Sequence, residues 1–341
     1  MRPTSPRSPL TLAALADDAL LDRAFAWLCR RRRHFPDVAD VWAFRRHWPT
    51  EKRRLQAELR AGHVQLGLLT RITKADGTVL DLWSARDALV LKALALTLAA
   101  HLPRSRRCTH LQGHGGAKGA VRAVVPALPA YQFVCKTDVR SYYDSIDHAR
   151  LLDRLARVVP DRSVLNLVGQ YLWRTAEAGG WYWTAAQGLS LGCPLSPVLG
   201  AFFLLDLDRA FEGTGLFYVR FMDDIVVFAP TRWRLRAAVR QVQQTLTTLG
   251  LAVHPDKTFI GRVERGFDFL GYHITPHGLS VAEETLRRFV ARVTRLYEQG
   301  RGRPLGSAPL GSYVRRWATW ATAGVSPLGA PANASLFACG Y

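Results

Sequence analysis

The apolar positions of this chain change their period several times, and each change marks an element. Leu286, Phe289, Val290, Val293 and Leu296 recur at helical spacing over residues 280–299, behind a Ser280–Glu283 capping box. Leu235, Val239, Val242, Leu246 and Leu249 form a second amphipathic helix that opens at Thr231 and ends at Gly250. Leu151, Leu152, Leu155, Val158 and Val159 form a third, stopped by Pro160. Residues 84–102 are apolar nearly throughout and read as a buried helix. Ser196-Pro197 opens another, apolar through Phe203, Leu204 and Leu207, because Ser favours the N-cap and Pro the first turn. Short apolar runs without a helical period read as strands at 133–137, 216–221 and 225–228. Residues 64–83 read as a hairpin, with Ile72-Thr73 and Val79-Leu80 flanking an Ala75-Asp76-Gly77 turn. Residues 1–60 are mostly helical, and 103–130 are a Gly-rich basic connector. The alternation of strands and helices after residue 131 makes this an α/β (α+β) chain.

Charge sharpens that picture. The 341 residues carry 46 Lys and Arg against 27 Asp and Glu, a net +19, and six of the 46 are lysines, leaving 40 arginines. With 48% hydrophobic and 10% aromatic residues, the chain can bury a core and is not a disordered basic tail. Such an excess calls for a polyanion, nucleic acid or an acidic membrane surface, or reflects an arginine-rich coding bias. A membrane role is disfavoured, since the longest apolar run, Ala88 to Leu102, is short of a span and broken by Lys92. Leu10 to Leu15 is too short for a signal peptide. Cys29, Cys108, Cys135, Cys193 and Cys339 are scattered, with no C-x2-C pair, which suits a reducing cytoplasm and excludes a zinc ribbon. The arginines cluster: Arg30 to Arg33, then Arg45, Arg46, Lys52, Arg53 and Arg54 with Trp42, Phe44 and Trp48 between them. Basic residues interleaved with aromatics suit a nucleic-acid surface, and equally a solvated helix face.

Within this basic chain a few carboxylates stand out. Asp138 lies at the exit of the 133–137 strand, and Asp223-Asp224 splits two apolar strands. Asp is a common turn former. Phe221-Met222 and Ile225-Val226-Val227 are apolar, however, so these carboxylates sit at the edge of a buried sheet, where adjacent like charges repel unless a cation neutralises them. Mg²⁺, held by carboxylates and substrate phosphates, is such a cation. Two such ions can clamp the attacking and leaving oxygens of a phosphoryl displacement. Two-metal nucleotidyl transfer and a structural turn both remain open on spacing alone.

At these residues the sequence resembles the reverse transcriptases, in particular bacterial ones related to group II intron and retron enzymes. Phe221-Met222-Asp223-Asp224 resembles the F/Y-x-D-D box, and Lys136 to His148 the first catalytic box. Gly188 to Pro197 resembles G-L-P-Q-G-x-P-L-S-P, His254 to Thr258 the segment after the last palm helix, and Phe269-Leu270-Gly271-Tyr272 the F-L-G-F/Y primer grip. The five boxes fall in family order across about residues 60–300. The resemblance implies a right-hand polymerase: an N-terminal basic extension at 1–60, fingers and palm at 61–275, and a helical thumb with its tail at 276–341. It implies that Asp138, Asp223 and Asp224 are catalytic and bind two Mg²⁺ ions, with Mn²⁺ as a substitute. Tyr143 would be the gate that excludes a 2′-OH, Leu191 and Gly192 would line the incoming nucleotide, and Lys257 would sit near its phosphates. Arg288, Arg292 and Arg295 would follow the duplex backbone, and Gly271 and Tyr272 would grip the primer.

Two departures stand out. Ser190 replaces the Pro and Leu191 the Gln of the G-L-P-Q-G-x-P-L-S-P box. Gly113 to Arg122 replaces the G-F-R box of the fingers, where a Gly-rich loop with Lys118 and Arg122 could cradle a triphosphate. No H-x-x-H or C-x-x-C pattern follows the thumb. The expectation is therefore a stand-alone RNA-directed DNA polymerase using dNTPs, an RNA template and a DNA or RNA primer. Its partner would be a non-coding RNA in a bacterial defence or retroelement system. The rival readings are a template-independent or RNA-making polymerase on the same palm, and a catalytically silent RNA-binding scaffold. If Tyr143 is the sugar gate, Tyr143→Ala raises NTP incorporation relative to dNTP in primer extension; an unchanged ratio removes that role.

Overall fold

The computed structural model describes residues 10–73, 77, 79–300 and 308–325. In chain order the elements are α1 (Asp18–Arg31), α2 (Asp40–Arg46), α3 (Trp48–Ala61), β1 (Leu69–Thr73), β2 (Val79–Leu82), α4 (Ala85–His101), α5 (Gly116–Ala127), β3 (Phe133–Thr137), α6 (His148–Ala156) and α7 (Arg162–Leu172). Next come β4 (Thr175–Ala178), β5 (Trp181–Thr184), α8 (Ser196–Phe203), α9 (Leu205–Ala210), β6 (Phe217–Phe221), β7 (Asp224–Ala229) and α10 (Arg232–Thr248). The last are β8 (Phe259–Arg262), β9 (Phe267–Phe269), β10 (Tyr272–Thr275), β11 (Gly278–Val281), α11 (Glu283–Gln299) and α12 (Ala308–Val325). They gather into two compact units. The first comprises Met1–Ser105, Arg140–Asp206 and Leu246–Leu251, and the second Arg106–Val139, Leu207–Thr245 and Ala252–Tyr341.

The first unit is built round α4, whose Leu89, Leu91, Ala93, Leu94 and Leu98 are wholly buried. Burial on nearly every side is what an all-apolar helix requires, and α1, α2 and α8 supply it. Ser84 caps α4, its hydroxyl accepting the Asp87 N–H at 3.0 Å. The predicted hairpin forms as β1–β2, extended into a four-stranded sheet in the order β2-β1-β4-β5. Ala75 and Asp76 of its turn lie outside the described residues, and Gly77 has φ +79°.

In the second unit β6, β7, β3 and β8 form an antiparallel sheet in that order, and β9, β10 and β11 form a three-stranded one. Val134, Val219, Val226 and Phe228 join Phe267, Phe269 and Ile274 in one apolar core. The connector expected at 103–130 is in part a helix. Ala120, Val121, Val124 and Leu128 of α5 and the turn after it recur at helical spacing and enter this core, a period hidden among glycines. The Ser280–Glu283 capping box does not form: Ser280 pairs with His273 in the β10–β11 ladder, and Ala282 is the N-cap. Ser196 is likewise inside α8 and not its cap, because its hydroxyl bonds the Ser190 carbonyl at 2.6 Å. Cys29, Cys108, Cys135 and Cys193 are free thiols; Cys339 lies outside the described residues.

The basic aromatic stretch at 313–320 falls in α12, which packs on α11, α5 and β11. Phe289 of α11 stacks on Trp317 at 3.9 Å between ring centres, and Tyr272 stacks on Trp320 at 5.0 Å. Gly271 makes this contact possible. It has φ +85°, and a Cβ there would stand 2.9 Å from the Trp320 ring. Gly271→Ala therefore meets both backbone strain and a clash with a rigid indole. The expected loss is about 2–4 kcal/mol of stability, read as a lower denaturant midpoint at unchanged slope; an unaltered midpoint would show that α12 does not depend on this contact.

Candidate active site

Antiparallel pairing brings the three carboxylates together. Thr137 of β3 faces Ile225 of β7, so the next step of the ladder sets Asp138 opposite Asp224. On its other side β3 runs against β8, and the same ladder continued past Lys136↔Phe259 sets Thr137 opposite Thr258 and Asp138 opposite Lys257. The Thr137 and Thr258 hydroxyls bond at 2.7 Å, and the Asp138 carbonyl accepts the His254 N–H at 2.7 Å. Lys257 Nζ donates to Asp138 Oδ2 at 2.6 Å. Lys136 alternates with Asp138 along β3, so both side chains share a face, and its ammonium lies 3.3 Å from Asp224 Oδ1. Asp223 follows Met222 in the two-residue loop between β6 and β7.

Met222 has φ +56°, a left-handed conformation uncommon outside glycine. Among the described residues the other non-glycine residues with positive φ are Ser141 and Leu270, and all three lie inside the family boxes. Backbone strain of this kind persists only where the surroundings impose it.

The charges are unevenly matched. Burial alone would raise the Asp138 carboxyl, but the hydrogen bond and charge of Lys257 outweigh it and hold it below the ordinary value. Burial pushes Asp223 up to about 7, and the neighbouring Asp138 adds to that. Burial also raises Asp224, with Lys136 opposing. Among the described residues no three His, Cys, Asp or Glu side chains form a ready-made metal-binding group, and lysines hold two of the three carboxylates. The donor chemistry nonetheless suits a hard divalent cation. Among the described residues Asp138 Oδ1 is buried without a hydrogen-bond partner, and burial beside Asp138 leaves Asp223 raised to about 7.

Tyr143, Leu191 and Gly192 lie in the other unit. A Cβ on Gly200 would stand 2.9 Å from the Tyr143 ring, so the glycine makes that ring's seat. Leu191 is 48% exposed, and Gly192 has φ +90°. Beside them is a node that the sequence analysis flagged only as a departure. Ser190 is wholly buried, takes the Trp83 indole N–H on its hydroxyl at 3.0 Å, and gives its own N–H to the Tyr171 hydroxyl at 3.0 Å. A proline there has no N–H to give, so the substitution is compensated by packing.

Lys118, Arg122 and Tyr272 are engaged elsewhere. Lys118 Nζ lies 4.4 Å from the Tyr272 and Trp320 ring centres and donates to the Tyr272 hydroxyl and the Trp320 carbonyl. Arg122 reaches the Ala323 carbonyl at 3.4 Å. Tyr272 is 1% exposed. From sequence the Gly-rich segment is expected to offer Lys118 and Arg122 to a triphosphate; in the structure α5 turns them towards α12. Tyr272, expected at the primer grip, is packed on Trp320. Arg288 is exposed and paired with Glu284 at 2.9 Å, and Arg292 and Arg295 are exposed on α11.

A carboxylate cluster on a mixed α/β palm, beside antiparallel sheets and helices, defines a right-hand polymerase. The Reverse transcriptase (RNA-dependent DNA polymerase) family matches residues 89–274, more than half of the chain, and the chain belongs to that family. Protein YkfC of Escherichia coli (strain K12) is 25% identical over 304 residues, covering 71% of this chain and 78% of YkfC. The retrovirus-related Pol polyprotein from the type-2 retrotransposable element R2DM of Drosophila melanogaster is 28% identical over 148 residues, 37% of this chain and 13% of the polyprotein. A chain of a partial Cas6-RT-Cas1–Cas2 complex aligns with a TM-score of 0.42 at 20% identity, covering 70% of this chain and 41% of that one. No helix among the described residues is long and apolar enough to cross a membrane.

An Asp223 carboxyl raised to about 7 takes up a proton on folding between its unfolded value, about 4, and 7. The metal-free protein therefore loses stability as pH rises through 7, and that loss vanishes in acid. Asp223→Asn stays neutral, so its melting temperature in metal-free buffer exceeds that of the wild type at pH 8, and the gap narrows as pH falls and closes below about pH 4. Equal values at pH 8 would show that the carboxylate is not destabilised.

Proposed function

We propose that this chain extends a DNA or RNA primer with dNTPs on an RNA template, in the cytoplasm, by two-metal nucleotidyl transfer. The observation that carries this reading is the meeting of Asp138, Asp223 and Asp224 at one end of the β6-β7-β3-β8 sheet, with Asp138 Oδ1 unsatisfied and Asp223 raised by burial beside Asp138. These carboxylates would hold Mg²⁺, or Mn²⁺ in its place, and the bound cations would offset charge on the attacking and leaving oxygens. The remaining work falls to the chain itself. Lys257, with a side chain 56% exposed, is a positive charge at the rim beside Asp138 and suits a triphosphate. Tyr143, seated by Gly200, is rigid enough to discriminate a sugar, and the exposed Leu191 and Gly192 suit contact with a nucleotide. Arg288, Arg292 and Arg295 present positive charge to a duplex backbone, which positions it without reading its sequence. Gly271 contributes to a primer grip through its backbone, since Tyr272 is buried.

A non-coding RNA partner, in a bacterial defence or retroelement system, belongs to the same reading. It is supported by Arg30, Arg31, Arg33, Arg45, Arg46, Arg53 and Arg54, all exposed on the N-terminal helices and the turn between them, with Arg45 stacked on Trp42 at 5.1 Å. Purified protein given Mg²⁺, a primed RNA and separate dNTP or NTP pools is expected to incorporate dNTPs. Asp223→Ala is expected to abolish synthesis while leaving RNA affinity within about twofold. Incorporation of NTPs alone, or synthesis by Asp223→Ala, would overturn the reading.

A further inference from the structure

The strained Met222 is held on both sides by groups that no step of the reaction uses. Its N–H donates to His110 Nδ1 at 3.0 Å, and its carbonyl accepts from Arg220 Nη1 at 2.7 Å. Arg220 is wholly buried, one strand position before Phe221 and on the opposite face of the sheet from Asp224. Its Nε and Nη2 make a two-pronged pair with Asp208 at 2.8 and 2.6 Å, and Asp208 also accepts from the Tyr218 hydroxyl at 2.8 Å.

The His110 side is fixed just as firmly. Residues 107–110 run beside β6: Arg220 N–H donates to the Arg107 carbonyl at 2.9 Å, and Thr109 N–H returns to the Arg220 carbonyl at 2.8 Å. The same arginine thus anchors His110 through its backbone and Met222 through its side chain. A buried ion pair is seldom retained for stability, since a well-packed apolar pair does as well. Here the bidentate fork leaves Nη1 in a set direction, aimed at the carbonyl that precedes Asp223.

We propose that Arg220, Asp208 and His110 are positioning residues: a clamp, made of a buried Arg220–Asp208 pair and a half-buried His110, that imposes the left-handed Met222 and so aims the Asp223 carboxylate at the metal. This rests on the metal-binding role given to Asp223 above. Neither His110 nor Arg220 touches substrate. Loss of such an outer partner is expected to lower metal affinity and turnover about 10–100-fold, with little change in KM for dNTP or in template affinity.

His110→Phe keeps a ring beside Phe221 and removes the acceptor, whereas His110→Asn keeps an acceptor near the Nδ1 position. Arg220→Met combined with Asp208→Asn removes the clamp without stranding a charge and keeps an acceptor for Tyr218. Mn²⁺ is titrated into each variant holding a dideoxy-terminated primer on RNA and the matching dNTP, and free Mn²⁺ is read by electron paramagnetic resonance. Single-turnover kcat and KM are measured alongside, with thermal melts to verify folding. His110→Phe is expected to weaken Mn²⁺ binding and lower kcat at least tenfold at unchanged KM, and His110→Asn to restore most of both. A folded His110→Phe with wild-type Mn²⁺ affinity and kcat overturns the clamp. Should the double variant fail to fold, the Phe and Asn pair decides alone. Asp223→Asn separates the two levels: if it retains full Mn²⁺ binding, the metal role of Asp223 fails and the clamp with it. If it loses binding while His110→Phe does not, the clamp alone fails.

Discussion

Three carboxylates share one end of an apolar sheet, and their mutual repulsion is the constraint that the second unit answers. Two like charges about 4 Å apart at an effective dielectric near 20 repel by roughly 4 kcal/mol, a large part of a typical folding free energy. The protein meets this locally with Lys257 on Asp138 and Lys136 beside Asp224. Asp223 is pushed towards neutrality by burial and by Asp138 beside it. A site with charge left unbalanced in the resting fold is one that gains from a cation on binding.

The arrangement rests on a ladder joining residues far apart in the chain. Strand β3 lies between β7 and β8, so Asp138 acquires Asp224 from one neighbour and Lys257 from the other in a single alignment. A one-residue slip of either pairing would carry these side chains to the opposite face. The core residues Val134, Val226 and Phe228 guard against it, because they would leave the core together with the site. Packing and chemistry are specified by the same alternation.

Elsewhere arginine-rich surface and aromatic packing divide the labour. On α11, Phe289 stacks on Trp317 while Arg288, Arg292 and Arg295 are exposed. In the Lys118 cage a cation that looks available to a ligand spends its charge on two rings and a carbonyl, joining α5, β10 and α12. The net +19 is therefore not all available to nucleic acid. Part of it holds the fold together, including Arg220, which never meets solvent.

Much of this was legible in the order of residues. The amphipathic periods at 232–248 and 283–299, the apolar helix at 85–101 and the strands round Asp138 and Asp223 follow from local side-chain spacing. Spacing alone left Asp223-Asp224 open between a metal site and a turn; the resemblance pointed to Asp138 as their partner, and the β3–β7 ladder sets it opposite Asp224. What spacing cannot convey is who sits opposite whom. The helix α5 was hidden because glycine weakens a local helical signal, and only burial against the sheet decides it. Ser280 and Ser196 matched capping patterns, but a ladder and a buried carbonyl claimed them first. The roles of Ser190, Lys118 and the Arg220–Asp208 pair depend on partners 12 to 202 residues away. The sequence by itself determined the elements and the chemistry, because periodicity and residue type are local. The tertiary structure alone decided which charges are matched and which is left free, because electrostatic balance is set by distance in space.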